Sequence, residues 1–375
     1  MKEILAAILG IVLVATSLEE AFVTVLLPRP VRHRRLLVRY FFRITWAIWS
    51  RVASRFSTKT RREGFLGIYG PLAMVLLFTT WAIALIIGFG FLQWAAQVGN
   101  SQDHRALIPD ILISGDVFFT LGYETLQPYS TTCRLLTIFE AGTGFGFIAL
   151  SVSYLPVLYL HFSERDRQLI QLGSRAGSPA SAGSVLQRFA KESNMHKLND
   201  WLRNWELWAA ELIESHSSYP MLAFYRSQHE NHSWLASLAV ILDSCALVAT
   251  GAEKADSLQL ESTFVTARRV LVEITRALKV REIEDTHRFT MEIISELEGD
   301  LEPLGLRWTN RQFTEQMVLA IQARYEPMLQ ALSAYLLLPL PKWAPGIRRT
   351  DSLSAPSVAL RLIHGTFPDA PDSAK

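Results

Sequence analysis

Between residues 64 and 102 the chain carries no charged side chain. The apolar heart of that stretch, residues 71–96, exceeds the ~20 residues a helix needs to cross a bilayer. No soluble domain readily hides such a segment, so it reads as a transmembrane helix, and the rest of the chain must be arranged around it. A second uncharged stretch, residues 141–163, is long enough to cross by the same criterion. Half of the 375 residues are apolar, yet long charged tracts follow residue 163, which predicts a chain part membrane and part soluble. Lys plus Arg (37) nearly balance Asp plus Glu (35), so overall charge gives no reason to expect a nucleic-acid partner. Two cysteines, Cys133 and Cys245, far apart in sequence, exclude a disulfide framework or a zinc-cysteine centre as organising features.

Residues 4–27 are apolar apart from Glu19 and Glu20. Lys2, the run that follows it and small residues at Ala15 and Ser17 also fit a secretory signal peptide, the competing reading. What comes next favours a retained anchor. Residues 29–62 hold eleven Lys or Arg and no acid, a composition that the positive-inside bias keeps in the cytoplasm. The N-terminus is then outside, the helix over 71–96 runs outward, the helix over 141–163 returns, and everything after residue 163 is cytoplasmic. Within 36–56, Arg39, Arg43, Arg51 and Arg55 fall on an arc of about 160° at helical spacing. That pattern fits a helix lying in the inner headgroup layer, or a basic linker that only reports orientation.

Between the two spans lies a short apolar stretch, residues 107–119, followed by Thr120-Leu121-Gly122-Tyr123-Glu124-Thr125-Leu126-Gln127-Pro128. It is too short to cross and sits where a re-entrant half-helix would sit, which requires protein or water around its polar groups. Span, half-helix, Thr-x-Gly-Tyr, proline and span together resemble the pore module of potassium channels, especially the bacterial type with two spans per pore. The resemblance covers roughly residues 70–160. It implies a selectivity filter at Thr120, Leu121, Gly122, Tyr123 and Glu124, four copies of the chain around one pore, and backbone carbonyls in place of an ion's hydration water. Two positions depart from the family: Glu124 stands where it has its second filter glycine and Thr125 where it has an aspartate. Losing that glycine removes easy access to positive backbone angles, while four Glu124 carboxylates would ring the outer mouth and favour cations. Cation passage is the expectation, and strict potassium selectivity stays open.

The returning helix carries Glu140, Gly142, Gly144, Gly146 and Pro156. An acid near the end of a span needs protein or water beside it, and the resemblance would set Glu140 behind the half-helix. The glycines permit close helix packing or a bend that widens the inner mouth, and Pro156 is a further kink candidate.

The expected organisation is a membrane anchor over 1–28, a basic interfacial segment over 29–66, and the pore module over 67–163. An inner-helix extension and flexible linker follow over 164–184, then a helical cytoplasmic domain over 185–338 and a disordered proline-rich tail over 339–375. The domain rests on period-3.6 patterning through Leu198, Trp201, Leu202, Trp205, Trp208 and Leu212, and later Val265, Val270, Leu271, Ile274 and Leu278, which predicts five to seven helices. Within it Glu214, His216, His229 and His232 are weak candidates for a metal site, their spacing matching no zinc signature, and Tyr219, Arg226, Ser227 and Gln228 could line a pocket. Neither a Gly-x-Gly-x-x-Gly nor a Walker loop occurs, and no constellation of nucleophile, base and orienter suggests an enzyme.

The sequence therefore leads to an all-α chain: membrane helices with a re-entrant pore loop, plus a cytoplasmic helical domain. The expected function is passive potassium conduction by a homotetramer in the inner membrane, with the bilayer and monovalent cations as its other partners and no bound cofactor. The alternatives are a weakly selective cation pore, a non-conducting membrane-anchored sensor or scaffold, and, more remotely, a membrane enzyme using Glu214 and the three histidines.

Overall fold

The computed structural model describes residues 1–27, 37–96, 106–122, 131–177, 179–192, 194–229, 232–252, 256–284 and 286–344. Tyr123 and Glu124 lie outside them. Among the described residues the fold is helical, with one isolated antiparallel bridge between Ala252 and Leu306. The chain divides after Leu160 into two units. Among the described residues four segments could cross a membrane by length and composition: 2–26, and the helices Lys59–Ala95, Thr131–Ala176 and Trp234–Gly251.

The first unit opens with α1 (Lys2–Ala21), continued by a π-helical turn (Phe22–Leu26). One face of α1 is a column of small residues, Ala6, Gly10, Val14, Ser17 and Ala21, buried against α3 (Lys59–Ala95). A Cβ on Gly10 would come within 2.7 Å of the Gly88 carbonyl, so the two backbones touch, as apolar spans without a hydrophobic drive between them tend to pack. Glu20, the acid that looks misplaced in an apolar helix, accepts hydrogen bonds from the backbone N–H groups of Leu37 (2.6 Å) and Val38 (2.9 Å) at the start of α2 (Leu37–Ala53). Its carboxylate is the acceptor for two orphan donors of that helix end.

Helix α2 rests on α3 through Trp49, whose ring stacks on Phe65 at 4.2 Å, and Trp46, which meets Tyr69 edge-on at 4.9 Å. These contacts explain why α3 starts at Lys59 rather than near Tyr69, where hydropathy alone sets it: the extra turns are held by aromatic packing. The other side of α2 exposes Leu37, Tyr40, Ile44, Ile48 and Val52 beside Arg43, Arg51 and Arg55. Two further helices complete this unit, α4 (Leu107–Phe118) and the first thirty residues of α5 (Thr131–Ala176).

In the second unit, α5 ends and α6 (Ala182–Ala190), α7 (Met195–Ser218), α8 (Trp234–Gly251), α9 (Ser257–Leu278), α10 (Met291–Leu301), α11 (Arg311–Gln322) and α12 (Glu326–Leu336) follow. Helix α8 is apolar enough to span, yet 15 of its 18 residues are buried by the surrounding helices, so it is the core of a helical domain. Leu198, Trp201, Leu202, Trp205, Trp208 and Leu212 bury along α7 as their spacing requires. On α9 the inner face is Leu260, Thr263, Ala267, Val270, Leu271 and Ile274, whereas Val265 is exposed, one position out of register with the expected stripe.

Two expected boundaries move. Within 164–184 the linker is confined to the few residues after Ala176, where α5 ends, and Ser181 and Ser184 form a reciprocal capping box that starts α6. At the other end, residues 339–344 belong to the domain, because Trp343 is buried against Phe289 and its carbonyl accepts from Gly183 N–H at 2.8 Å, and the rest of the expected tail lies outside the described residues. Prolines make 339–344 extended but do not prevent an aromatic anchor from docking.

A buried polar cluster joins these parts. Asp243 of α8 and Glu326 of α12 are fully buried, and Arg288 reaches both. All five of its N–H donors are used: Nε and Nη2 on Glu326, Nη1 and Nη2 on Asp243, and Nη1 on the Pro341 carbonyl. Tyr325 donates to Asp243 at 2.7 Å. Burial pushes Asp243 up to about 6, against the pull of Arg288 and Tyr325.

Candidate functional site

Helix α4 is twelve residues long, and its direction is fixed by three contacts. Near its N-terminal half the backbone of Ile111 lies on Gly90 of α3, where a Cβ would meet the Ile111 Cα at 2.9 Å. In the middle, the Ser114 hydroxyl bridges the Ile86 carbonyl of α3 (2.7 Å) and the Glu140 carboxyl of α5. At the C-terminal end the Phe118 carbonyl sits against Gly144, so close that any side chain at 144 would displace it. The fully buried Phe118 ring packs near Phe147 at 6.0 Å. Gln93 of α3 also donates to Thr137 of α5 at 3.1 Å, tying the two long helices on either side of the short one.

The end of α4 is built in an unusual way. Leu121 N–H bonds to the Asp116 carbonyl (2.9 Å) and Thr120 N–H to the Val117 carbonyl (3.1 Å), the paired bonds of a Schellman motif. That motif needs a left-handed residue after the cap, normally glycine, and here it is Thr120, at φ +53. A β-branched residue in that conformation costs on the order of 1–2 kcal/mol. Gly122 is left-handed again at φ +73, while Leu121 between them is not. The handedness of the backbone thus alternates immediately beyond the short helix. Thr120, Leu121 and Gly122 are exposed, and a Cβ at Gly122 would meet nothing within 4 Å.

On α5, Glu140 is fully buried between α4 and α3, Gly144 is closed by Phe118, and Gly142 and Gly146 face open space. Gly142 belongs to an exposed column at heptad spacing: Leu135, Ile138, Gly142, Phe145, Ala149, Val152, Pro156 and Tyr159. Phe139, Ile148, Leu155, Val157 and Leu160 are exposed beside it, and within this open surface the column has the spacing of a helix–helix seam.

Reading the sequence missed Ser114, Asp110 and Asp116. All three are buried on α4, and polar residues in a short apolar helix between spans are the signal that could have found them. It missed Arg165 as well. That guanidinium, on the last turns of α5, is buried and donates to the carbonyls of Leu222 (3.0 Å) and Tyr225 (2.8 Å), with Asp166 beside it and the Phe162 ring at 5.2 Å. Burial lowers its pKa from the usual arginine range.

The metal candidates do not converge. His216 is buried with Nδ1 on the Leu212 carbonyl (3.1 Å) and its ring near Trp234, and burial together with Arg165 lowers it to about 3, so it is neutral. The rings of His229 and His232 lie 6.1 Å apart, but no group of three potential ligands forms among the described residues. Arg226, read as a possible pocket residue, instead caps α12 by donating to the carbonyls of Leu336 (2.6 Å) and Leu337 (3.1 Å).

No protein-family model matches the chain, and no solved structure matches it. A protein of Bacillus subtilis (strain 168), described as "Uncharacterized membrane protein YdjJ", is 25% identical over 191 residues, 50% of this chain and 55% of its own length. The chain therefore spans about half the length of that relative. The relative's description and the long apolar helices α1, α3 and α5 agree on membrane residence.

Proposed function

We propose that the chain is one subunit of a homotetrameric cation channel, passive and potassium-conducting, with residues 120–124 as its filter. The observation that carries this reading is the end of α4: a helix held at three points along its length by α3 and α5 delivers a loop whose backbone alternates in handedness at Thr120, Leu121 and Gly122. Alternation turns successive peptide planes the same way, so their carbonyls can line one side of the loop. A single loop supplies too few oxygens to replace a hydration shell, and Gly122 is open on its far side. Further copies would complete the ring. The exposed heptad column on α5 is the surface they would share, and a closed symmetric assembly follows from such self-contacts.

In this reading α4 is a re-entrant half-helix, the N-terminus lies outside the inner membrane, and the eleven cations of 29–62 hold that segment and the second unit in the cytoplasm. The role of α1 as a retained anchor is supported by its packing on α3 and by the use of Glu20 at the start of α2. Glu124 favours the variant reading of a weakly selective cation pore, since four carboxylates at the mouth attract cations without ranking them.

The test is potassium-driven flux in proteoliposomes with sodium as competitor, for wild type, Gly122→Ala and Glu124→Gly. Potassium-selective flux that Gly122→Ala abolishes is the expected result. Selectivity gained only in Glu124→Gly establishes the weakly selective pore. A well-folded protein that never assembles beyond a dimer refutes the channel and leaves the membrane-anchored scaffold.

A further inference from the structure

A cleft of about 360 Å³ opens in the second unit where the end of α5, α6 and the first turns of α7 meet. Its rim carries Arg175 of α5 and Arg188 of α6, both exposed, and neither makes an ion pair or hydrogen bond among the described residues. The remaining basic group, Lys197, is already satisfied by Glu192 at 2.6 Å. One wall is aromatic: Phe189 is half-buried, and the buried Trp201 stands behind it with ring centroids 6.0 Å apart. Asp200 and Asn204, four residues apart on α7, add an acceptor and an amide to the same cleft.

Each feature narrows the ligand. Two uncommitted guanidinium groups suit a phosphate, which arginine binds through paired charge-assisted hydrogen bonds. A supported phenyl face suits a planar ring. The carboxylate and amide suit the hydroxyls or ring edge between the two. The volume lies at the lower end of the roughly 300–1,000 Å³ typical of small-molecule sites, enough for one ring and one phosphate but not for a dinucleotide. No glycine-rich phosphate loop is present, so side chains rather than backbone amides would have to hold the anion.

We propose that this cleft binds a mononucleotide-sized phosphorylated aromatic molecule, its phosphate between Arg175 and Arg188 and its ring on Phe189. The proposal stands apart from the channel reading, because binding is a property of the helical unit whether or not the chain conducts.

The experiment is isothermal titration of the full-length detergent-solubilised protein with AMP, adenosine and inorganic phosphate as separate probes. Saturable AMP binding is expected, with adenosine and phosphate each weaker by roughly tenfold or more, the worth of one lost charge-assisted or stacking contact. Arg188→Glu and Arg175→Glu should weaken AMP by at least about tenfold while leaving adenosine unchanged, and Phe189→Ala should weaken AMP and adenosine alike. Both arginines are exposed, so the charge variants are expected to fold, which circular dichroism checks. Absence of saturable AMP binding overturns the proposal. So does AMP binding that survives both arginine variants, or phosphate binding as tight as AMP, which would reduce the cleft to a simple anion site.

Discussion

Removing the guanidinium from the Asp243–Arg288–Glu326 cluster is the sharpest test of how the second unit is held. Both carboxylates are fully buried and Arg288 contributes all five of its donors. Arg288→Ala strands two buried acids and the Pro341 carbonyl at once. Breaking a buried pair by deleting one partner costs ~3–5 kcal/mol. For a domain of this size each kcal/mol moves the midpoint by about 2–4 °C, so a loss of roughly 6–20 °C is expected. The cluster also predicts a pH dependence. Two acids facing one arginine carry a net negative charge that a single proton neutralises, in line with Asp243 rising to about 6 from an unfolded value near 3.8. A group with a raised folded pKa contributes its full stabilisation below the unfolded pKa and loses it as pH rises through the folded one. The domain should therefore weaken by ~3 kcal/mol between about pH 4 and pH 7, and Asp243→Asn should flatten that slope. Native-state hydrogen exchange of peptides from α8 and α12 reads both effects in the intact protein. A loss below ~1 kcal/mol in Arg288→Ala would mean the acids find water or protons at no cost, and the cluster would not be the clasp described here. An unchanged slope in Asp243→Asn would assign the titration to another group.

Three further outcomes follow from the packing. In the proposed channel, Gly144→Ala should push the Phe118 carbonyl and the end of α4 away, lowering flux well below wild type, whereas Gly64→Ala, with open space around it, should leave flux unchanged; equal flux in both would show that α4 is not seated on Gly144. Glu20→Ala leaves the N–H groups of Leu37 and Val38 without their acceptor, so α2 should fray by ~1–2 kcal/mol and trypsin should cut faster at Arg39 and Arg43. Arg165→Ala should speed amide exchange across Pro220–Phe224 by freeing the carbonyls of Leu222 and Tyr225, and exchange at the wild-type rate would show that the turn holds itself.

What the sequence makes legible here is governed by range. The spans within α3 and α5 and the inner face of α7 follow from runs and periods along the chain itself, and so they stand where hydropathy puts them. Arg288 meets acids 45 and 38 residues away, and Glu20 meets amides 17 and 18 residues away. No local pattern contains those pairings. Helix α8 shows a second limit: an eighteen-residue helix whose single charged residue is Asp243 reads alike whether lipid or protein surrounds it. At the end of α4, a positive φ at Gly122 is what a glycine permits, but the Schellman geometry that makes Thr120 left-handed was not legible, since nothing in a threonine advertises that conformation.

The polar groups of the first unit divide its surfaces into fixed and free ones. Glu20 joins α1 to α2, Ser114 and Glu140 join α4 to α3 and α5, and Gln93 joins α3 to α5, so each such group locks one helix to another. A polar side chain in an apolar surrounding must be paired, and pairing in this way costs the helices their freedom to slide. The heptad column of α5 is apolar from Leu135 to Pro156, with Gly142 and Ala149 as its small positions, and ends on Tyr159. If copies of the chain meet there, they meet through packing alone, which can shift by small rotations without breaking a hydrogen bond. In the proposed pore, the fixed support behind the loop would hold carbonyls in place while packing along α5 left the helices that enclose them able to move.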